Sequence, residues 1–315
     1  MTIDVTVIGD INVDMITHPL TGIPEKNKQL LVPYIYLNTG GCACNTAIAC
    51  ARLGINTRLI GKVGDDAFSP FILDTLRDVG VDRKIKVSSE EKTGITLALA
   101  LQDSSRSFIT YKGANDTFSV KDFSLELIDG KVVIISGYNL LDTLRKEARM
   151  IFEYAKGKEM TTVLDPNWDP KGWSQDRIED INRMLKLTDF FFPDLEEGKS
   201  MTFTNEPNLI TVKLLMQGPE IVCLKLGKRG CLLADETKSQ LIKSFPVKPV
   251  NTTGAGDVFL AAFIRQYLEG ESYEEAALFA NAAAALSTTQ FGLERYPTYQ
   301  EVKKFMNREN YEGST

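Results

Sequence analysis

Asn251-Thr252-Thr253-Gly254-Ala255-Gly256-Asp257, followed directly by VFLAAFI to Ile264, is the stretch on which the reading of this chain turns. A polar loop of small residues runs without a break into an apolar helix. The first turn of a helix has N–H groups with no partner inside the helix and carries partial positive charge, so such a junction suits a phosphate. Gly254, Ala255 and Gly256 let phosphate oxygens approach the backbone closely. Asp257 stands in the first helical turn, where a carboxylate is favourable, and where it can take the proton of a hydroxyl attacking the phosphate. A Gly-rich turn with an acidic first-turn residue is the structural alternative.

Two upstream stretches bear on the same question. Gly40-Gly41-Cys42-Ala43-Cys44-Asn45-Thr46-Ala47 places two glycines before a helix, which permits strained dihedrals or close approach of a ligand. Asn45 is a neutral donor and acceptor suited to sugar hydroxyls; tight helix–strand packing is the alternative. Gly9-Asp10-Ile11-Asn12-Val13-Asp14 lies just past the first strand, and in an open α/β sheet ligands sit beyond the carboxyl ends of strands. Asp10, Asn12 and Asp14 alternate, so an extended chain points them to one side, with an Asx-type turn as the alternative.

Around these motifs, short apolar strands (Ile3–Ile8, Thr57–Val63, Val132–Ser136, Thr161–Asp165, Phe190–Pro193, Ile221–Leu226) alternate with helices over Asp66–Val79, Thr143–Ala155, Arg177–Lys186 and Asn208–Met216. Two long helices, Ala255–Leu268 and Tyr273–Thr289, follow. The pattern predicts an α/β fold with a mainly parallel sheet covered on both faces. The β-rich parts at about 15–38, with a strand near Gln29–Leu37, and 94–112, with a turn at Gln102–Arg106, break the alternation and read as a small inserted sheet.

The chain has 315 residues, 36 Lys and Arg against 42 Asp and Glu, and a net charge of −6, which argues against nucleic acid or an anionic membrane as partner. Five cysteines without CxxC spacing and a single histidine, His18, make a Cys/His zinc site or a Ser-His-Asp triad hard to build. The N-terminus lacks a basic n-region, and the apolar window Ala276–Leu286, interrupted by Asn281, is shorter than the roughly 20 residues of a membrane span. A soluble cytoplasmic protein is the expectation.

Gly40 to Gly64 resembles the N-terminal signature of the ribokinase-like (PfkB) carbohydrate kinase family. Asn251 to Ile264 resembles its C-terminal signature around the GAGD core. Gly9–Asp14, Asp165-Pro166-Asn167, Leu226–Gly230 and Asn281–Ser287 are family-like too, so the resemblance covers nearly the whole chain. It implies one ribokinase-like domain over 1–315, a parallel sheet flanked by helices with a small β-sheet lid. It also implies ATP- and Mg2+-dependent phosphorylation of a hydroxymethyl group, on a small neutral sugar or alternatively a nucleoside. By that similarity Asp257 is the general base, and Gly254, Ala255 and Gly256 form the anion hole. Asp14, Asn12, Gly41 and Asn45 are substrate contacts. Lys225, Gly227, Gly230 and Asn281 lie on the nucleotide side, where a solvated lysine and an Asn satisfied by backbone are the alternatives. Glu197 and Asp194 serve magnesium. In some members the lid is a dimer interface, so a homodimer through it is a further expectation. The rival from another class is a silent sugar- or nucleotide-sensing protein on the same fold.

Several positions depart from the family pattern. Asp194 replaces the Asn of an Asn-x-x-Glu motif. Asn251 stands where many members have an aspartate associated with a monovalent-cation site, which puts potassium activation in doubt. Cys42 occupies a lysine position of ribokinase, which speaks against ribose. Asp169 stands where sugar-acid kinases often show arginine, which speaks against an acidic substrate.

Overall fold

The structure is a computed structural model that describes residues 2–102 and 106–312. The chain starts β1 (Val5–Gly9), β2 (Asn12–Thr17), β3 (Ile35–Gly40), α1 (Cys42–Arg52), β4 (Thr57–Gly64), α2 (Phe68–Asp78), β5 (Asp82–Ser88), β6 (Gly94–Ala100), β7 (Arg106–Tyr111) and α3 (Ala114–Thr117). It continues through β8 (Val132–Ser136), α4 (Asp142–Gly157), β9 (Thr161–Asp165), α5 (Gln175–Leu185), β10 (Phe190–Phe191), α6 (Leu195–Thr202) and α7 (Pro207–Leu215). Last come β11 (Ile221–Lys225), β12 (Cys231–Ala234), β13 (Ser239–Ile242), α8 (Ala255–Glu269), α9 (Tyr273–Ser287) and α10 (Tyr299–Glu312).

Nine strands form one sheet in the order β13-β12-β11-β10-β9-β8-β1-β4-β5, parallel except at β12 and β13. The sequences VTVIG in β1 and VVIIS in β8 are β-branched in their first four residues and wholly buried, as a strand covered on both faces requires. Side chains alternate between faces: Val132 and Ile134 join the core under α1, α8 and α9, whereas Val133 and Ile135 join the core under α4, α5 and α7. Register then lines up the strand ends, with Gly9 beside Ser136 and Ser136 beside Asp165. That row is where a ligand belongs in a sheet of this kind.

The smaller sheet has the order β3-β2-β6-β7, with β2 and β6 parallel and the other pairs antiparallel. It departs from the expected boundaries. β2 begins at Asn12, and the second strand is Ile35–Gly40 where the sequence pointed to Gln29–Leu37. Gly40 pairs with Asn12, so the sheet is anchored at the motif glycines, past the apolar run. Of the expected 102–106 turn, residues 103–105 lie outside the described residues. The edge strand β5 was not anticipated, because DRKIKVS carries four charged residues and no apolar run. Neither was α10.

Candidate active site

Three junctions meet at the carboxyl ends of the parallel strands: β1 into β2, β3 into α1, and the loop into α8. At the second, Gly41 has φ 89°, and a side chain there would come within 2.5 Å of the Asp10 carbonyl, so only glycine lets β3 turn into α1. At the third, Gly254 has φ 79° and starts α8. Among the described residues no acceptor faces the N–H groups of Gly254, Gly256 and Asp257, whereas Ala255 N–H turns back to the Thr252 carbonyl at 3.3 Å. Three donors at a helix start, all unpartnered, form a cradle for an anion.

Asp257 is buried at this helix start and accepts a hydrogen bond from Asn45 Nδ2 at 2.9 Å. Burial, then the Asp165 charge, raises its pKa well above the ordinary carboxylate range, while Asn45 works the other way. Asn45 Oδ1 in turn accepts from Arg295 at 2.9 Å and from the Tyr296 hydroxyl at 2.7 Å. Those two donors fix the amide with its nitrogen toward Asp257.

Asp14 faces the same space from β2. Burial lifts its carboxyl to about 6, with Arg295 opposing the rise. Asn12 is further inside: its Oδ1 accepts from Asn115 at 2.8 Å and its Nδ2 lies 3.4 Å from Asp10 Oδ2. Asp10 accepts from the Ala43 N–H at 3.2 Å, and burial pushes its carboxyl up to about 7.

On the other side of the loop, a side chain at Gly256 would stand 3.4 Å from Lys225 Nζ. Lys225 donates to Asp165 at 3.0 Å, and Asp165 also accepts from Ser136 at 3.0 Å. Burial works against the lysine's charge, but Asp165, Glu197 and Asp194 outweigh it and raise its pKa. Lys225 is therefore built into the site, not solvated. Asp194 and Glu197 cap α6 reciprocally, Glu197 N–H to Asp194 Oδ1 at 2.8 Å and Asp194 N–H to Glu197 Oε2 at 2.7 Å. That leaves Asp194 Oδ2 and Glu197 Oε1 free of hydrogen bonds among the described residues. Burial, then Asp194, pushes Glu197 to about 8. Crowded acids of this kind suit a hard divalent cation.

The remaining expected residues fall around this centre. Gly227 and Gly230 shape the turn from β11 to β12. Asn281 donates to the Ile242 and Lys243 carbonyls at 2.9 and 3.3 Å, so backbone groups satisfy it. Cys42 Sγ accepts from Asn167 Nδ2 at 2.7 Å and shares a cluster with Asp165 and Asp257. Asp169 is no free charge: it is buried and pairs with Arg177 at 3.2 Å, so it carries no argument against an acidic substrate. Sequence reasoning missed Arg295, Tyr296 and Arg106, whose guanidinium reaches Thr253 Oγ1 from the lid strand β7. The segment Phe291–Pro297 has neither periodicity nor spacing that would have flagged the first two.

The profile described as pfkB family carbohydrate kinase matches residues 2–298. Ribokinase of Bacillus subtilis strain 168 is 30% identical over 307 residues, covering 96% of this chain and 99% of its own. A putative Ribokinase II from E. coli, in its apo form, superposes with a TM-score of 0.87 at 25% identity, covering 97% of this chain and 99% of that one. The structure of Arabidopsis thaliana ribokinase complexed with ribose and ATP superposes with a TM-score of 0.82 at 25% identity, over 97% and 99% of the two chains. The chain belongs to the pfkB family of carbohydrate kinases. It is a sugar kinase, a phosphotransferase with an alcohol group as acceptor. Among the described residues no helix is long and apolar enough to cross a membrane.

Proposed function

We propose that this chain transfers the γ-phosphate of ATP to a hydroxymethyl group of a small neutral sugar, with Asp257 as the general base. One observation carries the reading: the Asp257 carboxylate lies at the start of α8, beside unpartnered N–H groups, and is tied by Asn45 to the foot of the lid. A base placed there takes the hydroxyl proton while the adjacent amides hold the charge of the phosphoryl group. Its raised proton affinity favours that transfer.

The site fits ATP and Mg2+. The N–H groups of Gly254, Gly256 and Asp257 would receive phosphate oxygens, with Lys225 beside Gly256. Asp194 and Glu197 would hold Mg2+ through the oxygens their capping box leaves over, directly or through water. The ion supplies charge neutralisation of the phosphates. Gly227, Gly230 and Asn281 shape the wall near the nucleotide, Asn281 by fixing the backbone after β13. Asp14 and Asn45, with Asn12 and Gly41 supporting them, would bind the sugar hydroxyls. The lid would cover the sugar and exclude water, which otherwise competes for the phosphate.

Three buried carboxylates, Asp10, Asp14 and Asp257, favour a neutral acceptor over an anionic one. Tyr36 on the lid stacks on Phe291 at 5.1 Å, which supports the second reading, a nucleoside whose base lies on that pair. The lid face opposite Asp14 exposes Ile35, Leu37, Ile109 and Tyr111, the surface on which a homodimer would form. A turnover panel of ribose, fructose, other hexoses, inositol, adenosine, cytidine and sugar acids tests the reading. Turnover of a neutral sugar is expected. Turnover confined to nucleosides, or to sugar acids, would replace it.

A further inference from the structure

Arg295 is the least expected charge in the molecule. It is 2% exposed, and among the described residues no carboxylate is within ion-pair reach of it. Neutral oxygens surround it instead: Asn45 Oδ1 at 2.9 Å, the Thr39 carbonyl at 3.3 Å, the Thr253 carbonyl at 3.4 Å, and the Tyr296 hydroxyl. Its guanidinium also lies over the Tyr296 ring, 4.7 Å from the centroid. Asp14 and Asp257 act on its charge only from beyond ion-pair distance. A buried cation without a close carboxylate is expensive unless oxygen dipoles replace its water. Rings of carbonyl and amide oxygens are also how proteins hold a dehydrated monovalent cation.

Besides Tyr296, the three groups that bind Arg295 come from three parts of the site. Thr39 is the next-to-last residue of the lid strand β3, Asn45 holds Asp257, and Thr253 belongs to the loop that starts α8. The acid that many members resembling this chain carry at 251 is here Asn251, whose Oδ1 accepts from Thr253 N–H at 3.1 Å and whose Nδ2 is buried without a partner among the described residues. The loop thus has no carboxylate at 251 to pair with a loose cation. It already receives two guanidinium groups, Arg295 on the Thr253 carbonyl and Arg106 on its hydroxyl. The residues present do not fit an exchangeable monovalent cation.

We propose that Arg295 is the resident cation of this loop, a positioning residue that fills the oxygen cage and makes the loop independent of any exchangeable monovalent cation. The proposal rests on the reading that Gly254–Asp257 receives the phosphates of ATP. It makes one further consequence testable: emptying the cage should create a cation requirement that the wild-type protein lacks.

The experiment measures ATP·Mg2+ affinity by titration calorimetry in choline chloride and in potassium chloride at equal ionic strength, with melting temperature and circular dichroism as checks of folding. Wild type is expected to bind equally in both salts, within about twofold. Arg295→Ser should bind at least about tenfold more weakly in choline, the scale of a lost charge-assisted hydrogen bond. Potassium, or guanidinium chloride at millimolar concentration, should restore most of the loss, which no purely architectural role explains. Arg295→Lys keeps a fixed charge and should hold wild-type affinity in choline within about fivefold, a loss below that of one charged hydrogen bond. This variant carries the test if the serine variant fails to fold.

A wild-type protein that needs potassium to bind ATP would overturn the proposal. So would a serine variant that binds normally in choline, or a folded serine or lysine variant whose loss no cation restores. Wild type that binds no ATP in either salt would instead sink the reading of the loop.

Discussion

Every residue of β1 and β8 in the large sheet is buried, whereas five of the six residues of β7 in the lid are exposed. The large sheet is covered by helices on both faces, and its strand ends are held in register to within one residue, Gly9 beside Ser136 beside Asp165. The outer strands of the smaller sheet, β3 and β7, leave Tyr36 and Phe108 exposed on one face and Leu37 and Ile109 on the other, and the sheet adds two charged groups to the centre, Asp14 and Arg106. On the proposed reading the body carries the chemistry and the smaller sheet covers it. Close packing leaves the body little freedom to shift its strand ends, while a sheet with such exposed outer strands has fewer buried contacts to hold it in place.

The sharpest way to break this division is at Asp257. Asp257→Asn keeps the shape and the contact from Asn45 but removes the base. We expect normal folding by circular dichroism and a turnover number lower by at least about 10²-fold, the lower end of what a positioned base contributes. Near-wild-type turnover would move the chemistry away from the strand ends and leave the lid as the region to search.

Next in size is a stability contrast between the sheets. Ile134 in β8 is fully buried; truncation to Ala should cost about 2–5 kcal/mol in urea unfolding. Ile109 in β7 is 61% exposed, and the same truncation should stay within about 0.5 kcal/mol. Comparable losses at the two sites would mean that the lid face is covered in solution, as a homodimer would cover it.

The same contrast explains how much of the molecule the sequence disclosed. Body strands such as VVIIS are legible because burial on both faces demands unbroken β-branched runs. The Asn251–Asp257 loop is legible because a glycine-rich helix start has few other uses. Asp14 and Asn45 stood out because polar residues interrupt small or apolar ones. The edge strand β5 reads as a charged segment, since only one of its sides meets a neighbour. Arg295 and Tyr296 were invisible for a different reason. Their roles come from contacts with Thr39, Asn45 and Thr253, some 40 to 260 positions away, and no local pattern encodes such a contact. Asp169 shows the reverse: its sequence position suggested a repelling charge, and Arg177, eight residues on, neutralises it.

The smallest effect is a pH dependence carried by the acids where the two sheets meet, Asp10 after β1 and Asp14 on β2. Burial holds Asp10 at about 7 and Asp14 at about 6 in the folded chain, against about 3.9 when unfolded. Between these values the folded state binds more protons than the unfolded state, so stability falls as pH rises. The contribution is fully present below about pH 4 and is lost by about pH 7. Asp142 has the opposite sense: burial works against its ionised form, but bonds from Lys112 and Lys171 outweigh it and lower its pKa, so its contribution disappears in acid. Without ligand, the stability maximum should therefore lie on the acid side of neutrality. The loss from pH 5 to pH 8 should be about 2 kcal/mol, less than the raw shift implies because a relaxed site solvates the charge. Glu197, pushed up to about 8, and Asp257, also raised, act in the same sense. Asp10→Asn keeps an acceptor for the Ala43 N–H and removes one of these four acids, so denaturant unfolding of this variant should show a flatter slope over that range. An unchanged slope would assign the dependence to other groups. A flatter one would show that the protein holds these acids at the expense of its own stability, as a site built to receive hydroxyls requires.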